Sequence, residues 1–456
     1  MPFTVFKTQA GAGFRRYIVF NTRIRKIHDL VTLYPFEGAV NRTSAIIVEK
    51  TIPDPDEIRE LKIEHIVWIN RLGKSKPIPT DASLGEALKV TDRIGMIMAP
   101  IKRAVDTPWM QVTPKARTAL TKVLSTNAAQ MYQAHAGATT NLNQVYFIQI
   151  LGIDKDGYLV ITNPPEQGDK RRVRQIIAKV EPDLVYPLIR GRDINRWYID
   201  YKDRYILVPH DPKSGKPLSI NDLRMKFPRT YEYLCEFKNE LIKRSIKPFL
   251  KLKKMAHKGD KRALKLLEEK FFMVDNVGPY TFAPYKVVWK RLAGAIRGKA
   301  VEYACSVVEP MKIAGVIKPV VPDGGTTIMI PLDNAEEAYY LAGILNSSIT
   351  RTLIASYTYE LRQETHILRN IHVPKYRSIE IQRRIAELSK KSHDLAREIY
   401  GKGKRDLESV LMKVEEELDR AVAELYGITE DELREIIKVY NILKGELFEA
   451  STNHQS

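Results

Sequence analysis

Cysteine is nearly absent from this 456-residue chain: Cys235 and Cys305 are the only two, and neither lies in a Cys-x-x-Cys or Cys/His array. That argues against a disulfide framework or a metal site and for two buried thiols in a reducing compartment. Runs of about 18 apolar residues are missing, and the opening MPFTVFKTQAGAGFRRY lacks a charged stretch followed by a continuous apolar one. A soluble, cytoplasmic protein with no membrane association is therefore expected. Repeats of fixed period and low-complexity tracts are also lacking. Acid is in short supply: 73 Lys and Arg face 55 Asp and Glu, a formal charge of +18. That balance points to a polyanionic partner, although ribosomal or membrane-surface binding would produce the same charge. Hydrophobic residues make up 44% of the chain, enough to fill the cores of two or three domains.

Residues 1 to about 50 read as strand, loop and strand: YIVF, then the loop RIRKIHDLVTLYPFEGAVNRT, then the alternating SAIIVEK. Three short segments bury too little to stand alone, so they read as the edge of something larger. A helical run is expected from Thr113, followed by strands in QVYFIQILGI, GYLVIT, RYILVPH and YKVVWKRL. Between the last two lies a helical insertion over 230–270, rich in Lys and including Arg244. From Ile379 the pattern turns to long amphipathic helices, with Leu411, Val414, Leu418 and Val422 at helical spacing and Thr429 with Glu432 as a capping box.

Two stretches mimic catalytic motifs. TNPPEQGD, Thr162 to Asp169, has the Asn-Pro-Pro of amino-methyltransferase loops, in which an aromatic residue stacks on a flipped base. Glu166 stands in the aromatic position, so a proline-rich turn is the better reading. AGAGF, Ala10 to Phe14, is a glycine pair without the preceding hydrophobic strand of a nucleotide-binding turn, and reads as a turn before the strand RRYIVF.

Two constellations fit nucleic acid better. VYPLIRGRDINRWYID places Arg190, Arg192 and Arg196 around a glycine with Trp197, and guanidinium groups grip phosphates or guanine edges bidentately. Asp193 and Trp197 are read as structural. HAGATTNLNQVYFI offers Thr139, Thr140, Asn141 and Asn143 at a strand entry, where amides read adenine edges and hydroxyls reach phosphate.

Taken in order, FKTQAGAGFRRYIVF, LVTLYPFEGAVNRTSAIIVEK, YPLIRGRDINRW, YKVVWKRL, AYYLAGILNS, IHVPKY and ELDRAVAELYGITEDEL resemble the carboxy-terminal portion of adenine-specific DNA methyltransferases of the TaqI-like and type IIG restriction-modification class. The resemblance implies an α+β chain. Residues 1–55 would be the last strands of an incomplete methyltransferase catalytic domain, and 56–134 a connecting α/β region. Residues 135–378 would form a target-recognition domain for double-stranded DNA, and 379–456 a helical region. It implies that Phe36 stacks on a flipped adenine while Asn41 and Arg42 support its loop, and that Lys290 and Arg291 join the DNA-binding residues. No catalytic residue and no cofactor is assigned to this chain alone. S-adenosylmethionine would bind a catalytic subunit encoded upstream, or a half that has been lost. The alternatives are a stand-alone specificity subunit like those of type I restriction systems, or an inactive gene fragment.

Overall fold

The computed structural model describes residues 1–30, 33, 43–72, 78–79, 81–124, 132–165, 171–291, 303–358 and 363–444. Phe36, Asn41, Arg42 and Glu166 lie outside the described residues.

The first third of the chain builds a five-stranded sheet from β1 (Arg23–Asp29), β2 (Ser44–Glu49), β3 (Ile63–Asn70), β4 (Thr91–Pro100) and β5 (Trp109–Val112), in the order β2-β1-β3-β4-β5. β1 and β3 run parallel, and the other pairs are antiparallel. Ile27, Ile63 and Met98 bury on one face with Phe3, Phe6 and Trp109. The sheet crosses residue 55: the parallel neighbour of β1 comes from the stretch read as a connecting region, and β2 forms an edge.

Two expectations fail here: Arg23–Asp29, read as the start of the loop, is strand β1, held by β2 on one side and β3 on the other. YIVF, Tyr17 to Phe20, is not a strand but the last part of a helix, Ala12–Asn21. Its β-branched and aromatic composition resembles a strand, yet Ile18 and Val19 bury side by side while Tyr17 and Phe20 remain exposed. Tertiary contacts decide the matter. Arg15, fully enclosed, donates to the carbonyl oxygens of Val5 at 2.6 Å, Thr8 at 2.9 Å and Asp106 at 2.5 Å, drawing the N-terminal turns onto the helix. Gly11 permits the close approach, because a Cβ there would lie 1.9 Å from the Val5 oxygen.

The middle of the chain contributes β6 (His135–Ala136), β7 (Phe147–Ile153), β8 (Leu159–Thr162), β9 (Ile177–Val180), β10 (Val185–Ile189), β11 (Ile194–Asn195), β12 (Tyr198–Ile199) and β13 (Tyr205–Leu207). β14 (Tyr285–Lys290), β15 (Cys305–Val308), β16 (Met311–Ile313), β17 (Val316–Lys318), β18 (Val321–Pro322) and β19 (Thr327–Leu332) follow. They form a six-stranded sheet, β18-β10-β13-β7-β8-β9, a four-stranded sheet, β15-β14-β19-β6, and the ribbons β11-β12 and β16-β17. Five short helices between Ile220 and Glu269 occupy the insertion between β13 and β14. Tyr233, Leu234, Phe237 and Leu241 from these helices complete the core of the six-stranded sheet.

Helices Glu380–Ala396, Glu408–Tyr426 and Glu430–Lys444 close the chain. Leu411, Val414, Leu418 and Val422 are buried, as their spacing requires. The Thr429 backbone NH donates to Glu432 at 2.8 Å while the Glu432 NH donates to the Thr429 hydroxyl at 3.3 Å, completing the capping box. These helices share one core with β14, β15 and β19 and with Ile69, Met110 and Val112 of the first sheet. The architecture is mixed α and β, and among the described residues no helix is long and apolar enough to cross a membrane.

Candidate nucleic-acid interface

Residues that are far apart in the sequence meet at the end of β10. Backbone meets backbone there: a Cβ on Gly191 would lie 2.4 Å from the Thr326 carbonyl oxygen, and one on Gly324 2.0 Å from that of Gly137. The two glycines let the 137–143, 189–193 and 322–327 segments close together. Asp323 ties them. Its carboxylate accepts from Arg190 Nε at 3.3 Å, from the Thr326 hydroxyl at 2.8 Å and from the Gly325 NH at 2.9 Å.

A cavity of about 360 Å³ opens at this junction, lined by Thr139, Thr140, Asn141 and Asn143 together with Arg190, Asp323 and Arg171. The hydroxyl-amide segment and the first arginine, read separately from the sequence, thus line one site. Thr140 donates to Asn143 Oδ1 at 2.6 Å, and Asn276 donates to the Thr139 hydroxyl at 3.0 Å. Asn141 adopts a left-handed φ of 53° and donates to the Ser245 carbonyl at 3.1 Å.

Arg192 faces elsewhere. It lines a second cavity of about 500 Å³ with Phe147, Gln149, Pro164, Pro165 and Lys202. Phe147 stands near both cavities, for the Arg190 guanidinium lies 5.6 Å from its ring centroid. Arg192 is half-exposed, and Asp193 lies 4.0 Å from its Nε. Asp193 itself is structural, accepting from the Arg190 backbone at 2.7 Å and from Arg204 at 2.8 Å.

The other assigned residues are distributed differently. Arg196 lines neither cavity: it pairs with Glu415 at 3.2 Å and donates to the Asn346 carbonyl at 3.3 Å. Arg291 lines neither cavity: it pairs with Glu364 at 2.9 Å and donates to the Gly324 carbonyl at 2.9 Å, next to the cavity-lining Asp323 and Gly325. Lys290 ends β14, half-buried beside it.

The basic insertion flanks the first cavity. Arg244 leaves the list of surface cations, since it is fully enclosed and donates to the carbonyls of Leu241, Thr140, Phe271 and Met273 at 2.6–3.0 Å. It holds the Thr140 wall in place, a role that no sequence pattern announced. Lys243, Lys247, Lys251, Lys254, Lys258, Lys261 and Arg262 are exposed, and among the described residues none makes an ion pair. Burial and the neighbouring charges of Arg171 and Arg244 hold the Lys253 ammonium below its usual pKa. Such a crowd of like charge without counter-ions, on the insertion that contributes Ser245 to the cavity wall, favours a polyanionic partner.

The Asn-Pro-Pro turn is structural. Asn163 is fully buried, donates to the Arg174 carbonyl at 3.1 Å and accepts from the Ile176 NH at 2.8 Å, so both ends of its amide are engaged. Its two prolines line the second cavity. Among the described residues no group of three His, Cys, Asp or Glu could hold a metal ion.

No known family profile matches the chain. Over 185 residues, 40% of its length, it is 26% identical to the type II methyltransferase M.NspV of Nostoc sp. (strain ATCC 29411 / PCC 7524). The chain is similar to a methyltransferase of that kind. The shared segment spans 31% of that relative's length.

Proposed function

We propose that the chain is the DNA target-recognition part of an adenine-specific DNA methyltransferase. It would position the duplex while a cofactor-binding half outside these 456 residues transfers methyl from S-adenosylmethionine. The observation that carries this reading is the junction at β10, where hydroxyls, amides and Arg190 line one cavity beside lysines without counter-ions. Similarity to a type II methyltransferase supports it. Amides and hydroxyls in the first cavity suit base edges, and Arg192 in the more open second cavity suits phosphate. The specificity-subunit alternative calls for helical spacers standing between recognition domains. It is less favoured because the terminal helices share a core with the first sheet and with the four-stranded one.

Titration of a fluorescent duplex with the full chain over a series of salt concentrations tests the first half of the proposal. A steep linear fall of log affinity with log salt is expected, as neutralised phosphates release counterions. The second half is tested by methyl transfer to unmodified DNA, using this chain alone and with a candidate catalytic subunit. Transfer only in the mixture supports the proposed division of labour, and transfer by the chain alone overturns it.

A further inference from the structure

We propose that the first sheet carries a separate site for a nucleotide's phosphate group, in the cavity between the Pro55–Arg59 helix, the β4–β5 turn and the Pro114–Thr121 helix. This cavity of about 640 Å³ falls in the range of ligand clefts, roughly 300–1,000 Å³. Among the described residues four cations line it, Arg59, Lys102, Arg103 and Arg117, and no carboxylate does. Its remaining wall is largely apolar, built from residues such as Leu61, Ile101 and Leu124. Apolar walls with convergent charge of one sign suit a ligand having a flat organic body and an anionic end.

Arg117 is the centre of the argument. Its half-buried side chain makes no hydrogen bond or ion pair with any described residue. Burial lowers its pKa, and no carboxylate offsets the loss of solvent. A guanidinium held out of water without a counter-ion gains more from an arriving phosphate than a solvated one does. Lys102 and Arg103 are exposed and likewise without ion pairs among the described residues, whereas Arg59 is engaged with Asp56 at 3.1 Å.

The site is also rigid. The turn that carries Lys102 and Arg103 is pinned twice: Trp109 Nε1 donates to the Val105 carbonyl at 2.8 Å, and Arg15 donates to that of Asp106. Its neck is closed by the Ile101 NH donating to the Pro108 carbonyl at 2.9 Å. Little backbone ordering remains for a ligand to impose, and the ordering cost falls on the exposed Lys102 and Arg103 side chains. This assignment does not depend on the recognition reading, because none of its residues belongs to the β10 junction.

The same phosphate chemistry can arrive on a free nucleotide or on a DNA backbone. ATP is titrated calorimetrically, and a labelled duplex by anisotropy, into the full chain, Arg117→Ala, the pair Lys102→Ala/Arg103→Ala, and Lys413→Ala as an exposed control outside the cavity and outside the basic insertion. Circular dichroism checks folding, and Arg117→Lys provides a milder change. Loss of ATP affinity by about tenfold in Arg117→Ala, with the control unaffected, assigns a free nucleotide. The same loss for the duplex, with ATP silent, assigns the backbone. Binding that responds no more to Arg117→Ala and the turn pair than to Lys413→Ala overturns the proposal, as does failure of both ligands to bind.

Discussion

The indole of Trp197 donates to the Glu415 carboxylate across 2.5 Å, and Arg196 joins the same oxygen from the preceding position. Two consecutive residues between β11 and β12 thereby grip one acid on the Glu408–Tyr426 helix. Glu415→Ala strands a buried indole NH and a mostly covered guanidinium, and the expected cost is about 2–3 kcal/mol. Urea unfolding measures it. Glu415→Gln keeps an acceptor and should lose about half as much.

Arg190 and Arg192 separate stability from binding. Arg190 is mostly covered and shares Asp323, itself nearly buried, so Arg190→Ala should cost about 2–4 kcal/mol of stability as well as DNA affinity. Arg192→Ala should leave stability within about 0.5 kcal/mol and weaken DNA binding about tenfold. Parallel denaturation and anisotropy measurements check both, and unchanged affinity in both variants would return these arginines to purely structural roles.

Lys286 supplies an alkaline signature. Fully buried on β14 with the Ala283 carbonyl as acceptor at 2.5 Å, its ammonium is pushed down by burial to about 7 from an ordinary 10.5. Between those values the unfolded chain holds a proton that the native chain releases. Stability from this group therefore rises with pH across that window, by about 1.4 kcal/mol per unit at most. Lys286→Met should flatten the rise and stabilise the protein at neutral pH, as read from urea midpoints at pH 7 and 9.5.

Two enclosed histidines act on the acid side. His210 Nε2 accepts from the Val274 NH at 3.0 Å, and His393 Nε2 accepts from the Val307 NH at 3.0 Å, so each must be neutral to serve. Burial lowers both to about 4 from 6.5. Below pH 6.5 the unfolded chain takes up protons that the native chain refuses, so stability falls towards pH 4. Substituting both with Gln should shrink that acid loss, visible as a shallower pH dependence of the melting temperature.

Local rules were enough for part of the fold. Thr429 and Glu432 cap a helix through contacts three residues apart, and Leu411 to Val422 show their buried face by spacing alone. Tyr17 to Phe20 misled because strand-forming composition was overruled by Arg15, which ties the helix to the carbonyls of Val5 and Thr8 and to the distant one of Asp106. Arg244 was invisible among its exposed neighbours, for its burial depends on oxygens from Thr140, Phe271 and Met273. The candidate site was legible as two fragments. Their meeting at Asp323 was not, since Gly191 and Gly324 reveal a close approach only when both partners are in place.

Lys122, just past the Pro114–Thr121 helix, donates to the Gly427 carbonyl at 2.7 Å and to Glu432, and that helix packs against Glu430–Lys444. During synthesis, then, the first third of the chain leaves the ribosome with an apolar helix face that waits some three hundred residues for its cover. Packing of the first sheet is thus completed only once the Glu430–Lys444 helix has been made, and a chain lacking that helix exposes an apolar face on which aggregation can begin.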